Sequence, residues 1–315
     1  MKRTFVSALL FALIAAGLFS LFNTKSEEAE LFAFDTYVSF SIEGRDAKEA
    51  KSEITEEIKR LDEALNVNGT GALYDYNSGG EPEGEIKELL ERSKSVSGMT
   101  GGAFDVTLYP VSKLWGFTTG EKRVPGESEI KEALKLTGYE KIGNGHPEAD
   151  FGAAAKGYAA DRIKEILKER KIKSAVASIG GTVLVYGKKA LIAVKDPGGE
   201  GYAATLECRD EVLSTSGSYE RFFTENGKTY SHIIDPETGS PAESKIVSAT
   251  ALSKDGFLSD ALSTAFFVMG EEKAKAYLKE NKDVGAVLIT DDGRLIATDN
   301  VTIKDYDNKY KLEII

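Results

Sequence analysis

DFGAAAKGYAADRIKEILKERKIKSAVASIGGTVLVY, Asp150 to Tyr186, decides the class of fold. Ala154 to Lys171 is Ala-rich and sets Ile163, Ile166 and Leu167 on one side, which predicts an amphipathic helix. Strand-like runs follow at Ser174–Ile179, Thr182–Tyr186 and Leu191–Val194, divided by Gly180-Gly181 and by Gly187. One helix followed by several strands is not the alternation of a regular βαβ sheet.

The rest of the chain keeps this irregular order. Upstream, FAFDTYVSFSIEG (Phe32–Gly44) alternates as a strand does. Asp46 to Leu65 then repeats Ile54, Ile58, Leu61 and Leu65 at helical spacing. A loop rich in Asn and Gly is expected over Asn66–Gly84, and helices over Glu85–Ser97 and Ser128–Leu136. Downstream, Leu258–Met269 and Glu271–Glu280 read as two helices. GAVLIT, Asp291-Asp292-Gly293 and RLIAT then form a hairpin. An α+β fold is therefore expected.

With 315 residues, 41% hydrophobic and 29% charged, the chain can bury a sizeable core. Its net charge of -11 argues against nucleic acid or anionic lipid as partners, although a bound cation can bridge the protein to an anionic nucleotide. Cys208 is the one cysteine, so there is no internal disulfide and no Cys/His zinc cluster. Lys2 and Arg3 precede an apolar run from Phe5 to Phe22. That pattern predicts a signal peptide or signal anchor over residues 1–24, with the remaining chain, 30–315, outside the cytoplasmic membrane.

Four segments carry residues that packing does not require. In DFGAAAKGYAAD (Asp150–Asp161), small residues enter a helix beside Lys156. This is either a phosphate site at a helix start or a tight helix–strand contact. In SDALSTAFFVMG, Asp260 and Thr264 share one face of an apolar helix. They could ligate a hard cation such as Mg2+, or Asp260 could complement its own helix dipole. In YSHIIDPETGSP, His232 is either a general base or an ordinary histidine; His146 has the look of the latter. In STSGSYERFF, Tyr219 either stacks on a ligand or fills the core. There is no nucleophile elbow, no Walker loop and no dinucleotide fingerprint after a strand.

Together with TGGAFDVTLYPVSKLWGF (Thr100–Phe117) and ASIGGTVLVYG (Ala177–Gly187), these segments resemble, in order and spacing, the ApbE-type FAD:protein FMN transferases. The resemblance runs from about Phe32 to Gly270. It implies a single compact, T-fold-like catalytic domain of mixed, largely antiparallel sheets with packed helices. It implies FAD as substrate, Mg2+ (or Mn2+) as cofactor, and an acceptor protein that takes FMN on a Thr or Ser hydroxyl. Metal ligation would come from Asp260, Thr264 and the carbonyl of Ala153, and the base would be His232. FAD contacts would come from Phe34, Ala103, Phe104, Asp105, Asp150, Lys156 and Ile234. The chain departs from the pattern in its shortened Leu65–Asn77 loop, in Asp35 for the Gly of Met-Gly-Thr, in Gly152-Ala153-Ala154 for Gly-Gly-Ile, and in Gly180-Gly181-Thr182 for Gly-Gly-Asp. Two rival readings remain: an FAD pyrophosphatase that uses water as acceptor, and a non-catalytic extracytoplasmic flavin-binding protein.

Overall fold

A computed structural model describes residues 25–118, 120–142 and 147–315. The export segment expected at 1–24, and His146, lie outside them. Among the described residues no helix is long and apolar enough to cross a membrane.

The chain starts as a hairpin. Strand β1 (Lys25–Ala33) pairs antiparallel with β2 (Thr36–Gly44), Ala33 opposite Thr36. The sequence reads as one strand from Phe32; in the structure it turns at Phe34 and Asp35, both at positive φ (53° and 54°). A two-residue turn of this hand matches the twist of the flanking strands. Neither residue is glycine, and the Phe34 N–H is held by the Asp62 carboxylate at 2.7 Å. The polar run Lys25–Glu30 is thus the outer half of a strand.

Helix α1 (Ala47–Ala64) follows, buried along Ala47, Ala50, Ile54, Ile58 and Leu61. The expected loop after it holds a short helix, α2 (Ala72–Asn77), before α3 (Gly84–Met99). Two short helices, α4 (Tyr109–Leu114) and α5 (Glu127–Leu134), lead to α6 (Ala155–Glu169). Strands β3 (Ser174–Ile179), β4 (Thr182–Tyr186), β5 (Ala190–Lys195), β6 (Tyr202–Cys208) and β7 (Glu211–Gly217) come next, then the hairpin β8 (Phe222–Glu225) and β9 (Lys228–Ser231). After β10 (Ile246–Ser253) runs α7 (Gly256–Glu280), broken at Gly270 (φ 70°, ψ 178°) as the sequence reading expected of two helices. The chain closes with β11 (Gly285–Thr290), β12 (Arg294–Ala297), β13 (Ile303–Tyr306) and β14 (Lys311–Ile314).

Nine strands form one sheet in the order β1-β2-β3-β4-β7-β10-β11-β12-β14, antiparallel except for β12 beside β14. Strands β13-β6-β5 make a smaller sheet that packs on the large one through Val194, Leu206, Leu213, Val287 and Ile289. The fold is α+β with largely antiparallel sheets, as expected. Cys208 lies buried between these layers beside Glu211, and burial pushes its thiol up to about 12.

Helices α6 and α7 cross in direct backbone contact. A Cβ on Gly157 would stand 2.1 Å from the Gly256 carbonyl oxygen, and one on Gly256 would stand 2.4 Å from that of Gly157. Each helix lends a carboxylate to the start of the other. Asp161 of α6 accepts the N–H groups of Gly256 and Phe257 at 2.8 and 3.0 Å; Asp260 of α7 accepts that of Gly157 at 2.9 Å. Free N–H groups at a helix start favour an anion there, so the exchange stabilises both ends. Gly157→Ala is expected to destabilise the protein by about 1–3 kcal/mol, the usual cost of overpacking, read as a lower denaturant midpoint with little change in slope.

Candidate active site

The crossing of α6 and α7 opens beside the ends of β4 and β7. Asp260 is 4% exposed, and both its oxygens are held. Oδ2 accepts the Gly157 N–H and Oδ1 accepts the Thr182 hydroxyl at 3.2 Å. The start of α7 is capped by Asp255, whose carboxylate accepts the Leu258 N–H at 2.8 Å. Asp260 therefore complements the neighbouring helix, not its own. Thr264, one turn along, is hydrogen-bonded to Ser216 of β7 at 3.1 Å.

The segment before α6 brings Asp150 to the same place. Its N–H bonds the Val106 carbonyl at 2.9 Å, and its carboxylate accepts the Gly152 N–H at 2.8 Å. Burial pushes the Asp150 carboxyl above its ordinary range, against the pull of Arg221 and Lys156. Helix α2 fastens this segment: the Asn77 amide bonds Ala149 in both directions at 2.9 and 2.8 Å, and the Tyr76 hydroxyl donates to Pro147 at 2.8 Å. The loop that the sequence reads as shortened thus anchors Asp150. Ala153 is half-buried at the entrance to α6, and Lys156 donates to the Gly152 carbonyl at 3.1 Å.

His232 follows β9. Its Nδ1 lies 3.1 Å from the Arg221 carbonyl, which also accepts its backbone N–H at 3.0 Å. A carbonyl only accepts, so Nδ1 carries the proton and Nε2 presents a lone pair. The ring meets Phe117 edge-on at 6.5 Å, at the margin of an aromatic floor of Trp115, Phe117, Phe223 and Tyr230. Burial pushes the imidazole down to about 4, helped by the charges of Arg221, Lys156 and Lys122. The sequence reading places this titration near neutrality; desolvation moves it.

Lys156 and Arg221 act on Asp150, on His232 and on Glu220, whose carboxyl burial pushes up and which also feels Asp260. Asp150, Lys156, Glu220, Arg221, His232 and Asp260 therefore form one cluster of groups that act on one another, with Thr264 one helical turn from Asp260. Lys156 has no carboxylate within ion-pair distance among the described residues, and Arg221 reaches only Asp35, at 3.9 Å. The cleft holds cations free for an anion, although the protein carries net charge -11.

Most of the other expected contact residues lie in or against the core. Phe104 is buried in the main core, edge-on to Phe257 at 6.4 Å, so only its backbone can meet a ligand. Ile234 is buried in one cluster with Val111, Trp115 and Ile130, against which Phe117, Phe223 and Tyr230 pack. Asp105 accepts both the N–H and the hydroxyl of Thr107, at 2.8 and 2.7 Å, and burial pushes its carboxyl up. Ala103 is half-buried against the core, as is Phe34 in its turn. Tyr219 packs inward across Gly217 and beneath Lys195, 5.2 Å from its ring centre. Sequence reasoning marked Thr182 only as a departure from the Gly-Gly-Asp motif and missed Ser214 and Ser263 as partners of the site. The one signal of those two was polarity at positions that the strand and helix patterns bury.

The model of the ApbE family matches residues 34–288. The chain belongs to the ApbE family. It is 30% identical over 258 residues to an FAD:protein FMN transferase of Klebsiella pneumoniae, covering 76% of this chain and 81% of that protein. It is 33% identical to one from Treponema pallidum, covering 71% of each. The ApbE protein of Thermotoga maritima superposes with a TM-score of 0.79 at 30% identity, over 86% of this chain and 96% of that one. Apo flavinyl transferase ApbE of Pseudomonas stutzeri gives 0.74 at 28%, over 85% and 91%. The ApbE relationship therefore spans the cleft and both helices that build it.

With two histidines in the chain, the His232 titration is directly measurable. Its ring-proton resonance, assigned by loss in His232→Ala, is expected to move with a midpoint near pH 4. A midpoint at or above 6.5 would show that the ring is solvated in the free protein.

Proposed function

We propose that this ApbE-family chain is an FAD:protein FMN transferase that joins FMN through a phosphoester to a Thr or Ser of an acceptor protein and releases AMP. The observation that carries the reading is that Lys156 and Arg221 lie near enough to His232 and Asp150 to act on both, while Asp260 is buried and Thr264, half-buried, stands one turn along the same helix. The curated relatives matched over most of their length bear that activity in their names.

The chemistry of the donor set fits Mg2+. Asp260, Thr264 and the Ala153 carbonyl are hard oxygen donors, as Mg2+ requires, and Mg2+ commonly takes one or two carboxylates and completes its shell with phosphates and water. Among the described residues no group of three or more His, Cys, Asp or Glu side chains is placed to hold a metal. That agrees with a site completed by the substrate. Bound Mg2+ supplies Lewis-acid neutralisation of phosphate charge.

The protein's own groups do the rest. Lys156 and Arg221 attract the pyrophosphate of FAD. Phe34 and Ala103, with the backbones of Phe104 and Ile234, line the flavin side, and Asp105 and Asp150 hold the segments that shape it. The acceptor oxygen attacks the FMN phosphorus as the bond to the bridging oxygen breaks and AMP leaves. Nε2 of His232 takes the hydroxyl proton. An imidazole pushed down to about 4 is neutral, and so ready to accept a proton, throughout the neutral range.

His232→Ala is expected to slow transfer by about a hundredfold to ten-thousandfold, while the Kd for FAD changes little. Wild-type kcat/KM should fall on the acid side near pH 4, not near neutrality, and His232→Ala should lose that inflection. The assay incubates protein, FAD, Mg2+ and an acceptor domain. Covalent flavin on the acceptor supports transfer, free FMN points to a pyrophosphatase, and neither product points to a binding protein. A raised Kd for FAD with an unchanged saturated rate would remove the base role.

The apolar run Phe5–Phe22 behind Lys2-Arg3 is the basis for placing the domain on the extracytoplasmic face of the membrane, where its acceptor would be a membrane-associated or exported redox protein. Protease added to intact protoplasts should degrade the domain; full protection would refute this location.

A further inference from the structure

The hydroxyls around Asp260 and Thr264 form two chains whose direction follows from counting hydrogens. Ser263, fully buried on α7, donates to the Asp260 backbone carbonyl at 2.7 Å. A hydroxyl has one hydrogen. In the 2.8 Å contact between Ser216 and Ser263, Ser216 is therefore the donor. With that hydrogen committed, the 3.1 Å contact between Ser216 and Thr264 requires Thr264 to donate. The chain runs Thr264 to Ser216 to Ser263 to the Asp260 carbonyl, and it leaves the Thr264 oxygen with lone pairs alone.

The second chain obeys the same rule. Thr182 gives its hydrogen to Asp260 Oδ1, so Ser214 donates to Thr182 in their 3.0 Å contact. Thr182 and Ser214 are fully buried, so neither hydroxyl has water as an alternative partner. Chained hydroxyls in a dry site polarise one another in the direction of donation.

We infer that Ser216 and Ser263 are positioning residues whose directed hydrogen bonds make Thr264 a pure acceptor toward the cleft, tuning the site for a divalent cation. Ser263 touches neither the cleft nor a ligand, yet its hydrogen sets that of Ser216 and, through it, that of Thr264. Removing it frees the Ser216 hydrogen to turn toward Thr264, whose own hydrogen then points into the cleft, where a cation repels it. This inference rests on the reading of Asp260 and Thr264 as cation ligands.

The test titrates Mn2+ into the full-length protein saturated with FAD, with free Mn2+ followed by electron paramagnetic resonance and melting temperature measured alongside. Asp260→Ala and Thr264→Ala set the scale for lost ligands. Ser216→Ala and Ser263→Ala are expected to weaken Mn2+ binding by about 10- to 100-fold, the usual effect of removing a group that orients a ligand. Ser216→Thr, which keeps a hydroxyl on the same carbon, should restore it. Ser263→Ala that binds Mn2+ as tightly as wild type, while Asp260→Ala does not, overturns the relay and leaves the cation site standing. Failure of Ser216→Thr to restore binding also overturns it, because the loss then comes from packing. If Ser263→Ala fails to fold, Ser216→Ala and Ser216→Thr decide the matter between them. A wild-type protein that binds no Mn2+ overturns the cation site and the relay together.

Discussion

The structure of the site depends on a contact that no side chain makes. Gly157 and Gly256 bring the backbones of α6 and α7 within reach of each other, closer than any Cβ would allow. That closeness lets Asp260 reach the start of α6 and Asp161 reach the start of α7. A buried carboxylate without partners would lose its hydration with nothing in return. Here Asp260 gains a backbone N–H, a hydroxyl and the positive end of a neighbouring helix. The same contact fixes both its oxygens relative to Thr264, so helix packing and site geometry are one constraint.

That constraint explains which parts of the site were legible in the sequence. The four-residue spacing of Asp260 and Thr264 lies within one helix, and a helix fixes such spacing whatever surrounds it. The small residues before Lys156 announced a close approach, and Gly157 makes one. The sequence left open whether the approach was to a ligand or to another element, and in the structure the partner at Gly157 is α7. Asp161 closed the same motif, but its job, capping a helix almost a hundred residues away, was set by tertiary contact alone. The hydroxyls of Thr182, Ser214 and Ser263 were hidden for the same reason: each is an ordinary residue until β4, β7 and α7 meet.

The errors in the fold have equally local causes. Phe34 and Asp35 carry no turn signature, because the positive φ that usually marks Gly or Asn is borne here by a phenylalanine and an aspartate. The Asp62 carboxylate on the Phe34 N–H, and the packing of Phe34 against the core, hold them there. Lys25–Glu30 is too acidic to look like a strand, but an edge strand needs only one covered face, and charges on an edge discourage pairing with other chains. The helix Ala72–Asn77 hides in a run of Gly, Asn and Ser, and it is held by what Tyr76 and Asn77 grip beyond it.

The electrostatics of the cleft reconcile an acidic protein with an anionic substrate. Net charge acts at long range and is screened over about 8–10 Å in physiological salt. Lys156 and Arg221 act at short range, on groups that burial has already pushed toward neutrality. Burial keeps His232 unprotonated, and the same two cations reinforce it. An anion bound between them would offset their charge and raise the proton affinity of the imidazole, since an opposite charge nearby favours the charged form. On that argument the strength of the base is coupled to the presence of substrate. The free site neither traps a proton nor repels a phosphate, and the imidazole becomes a better acceptor when the phosphate to be transferred lies beside it.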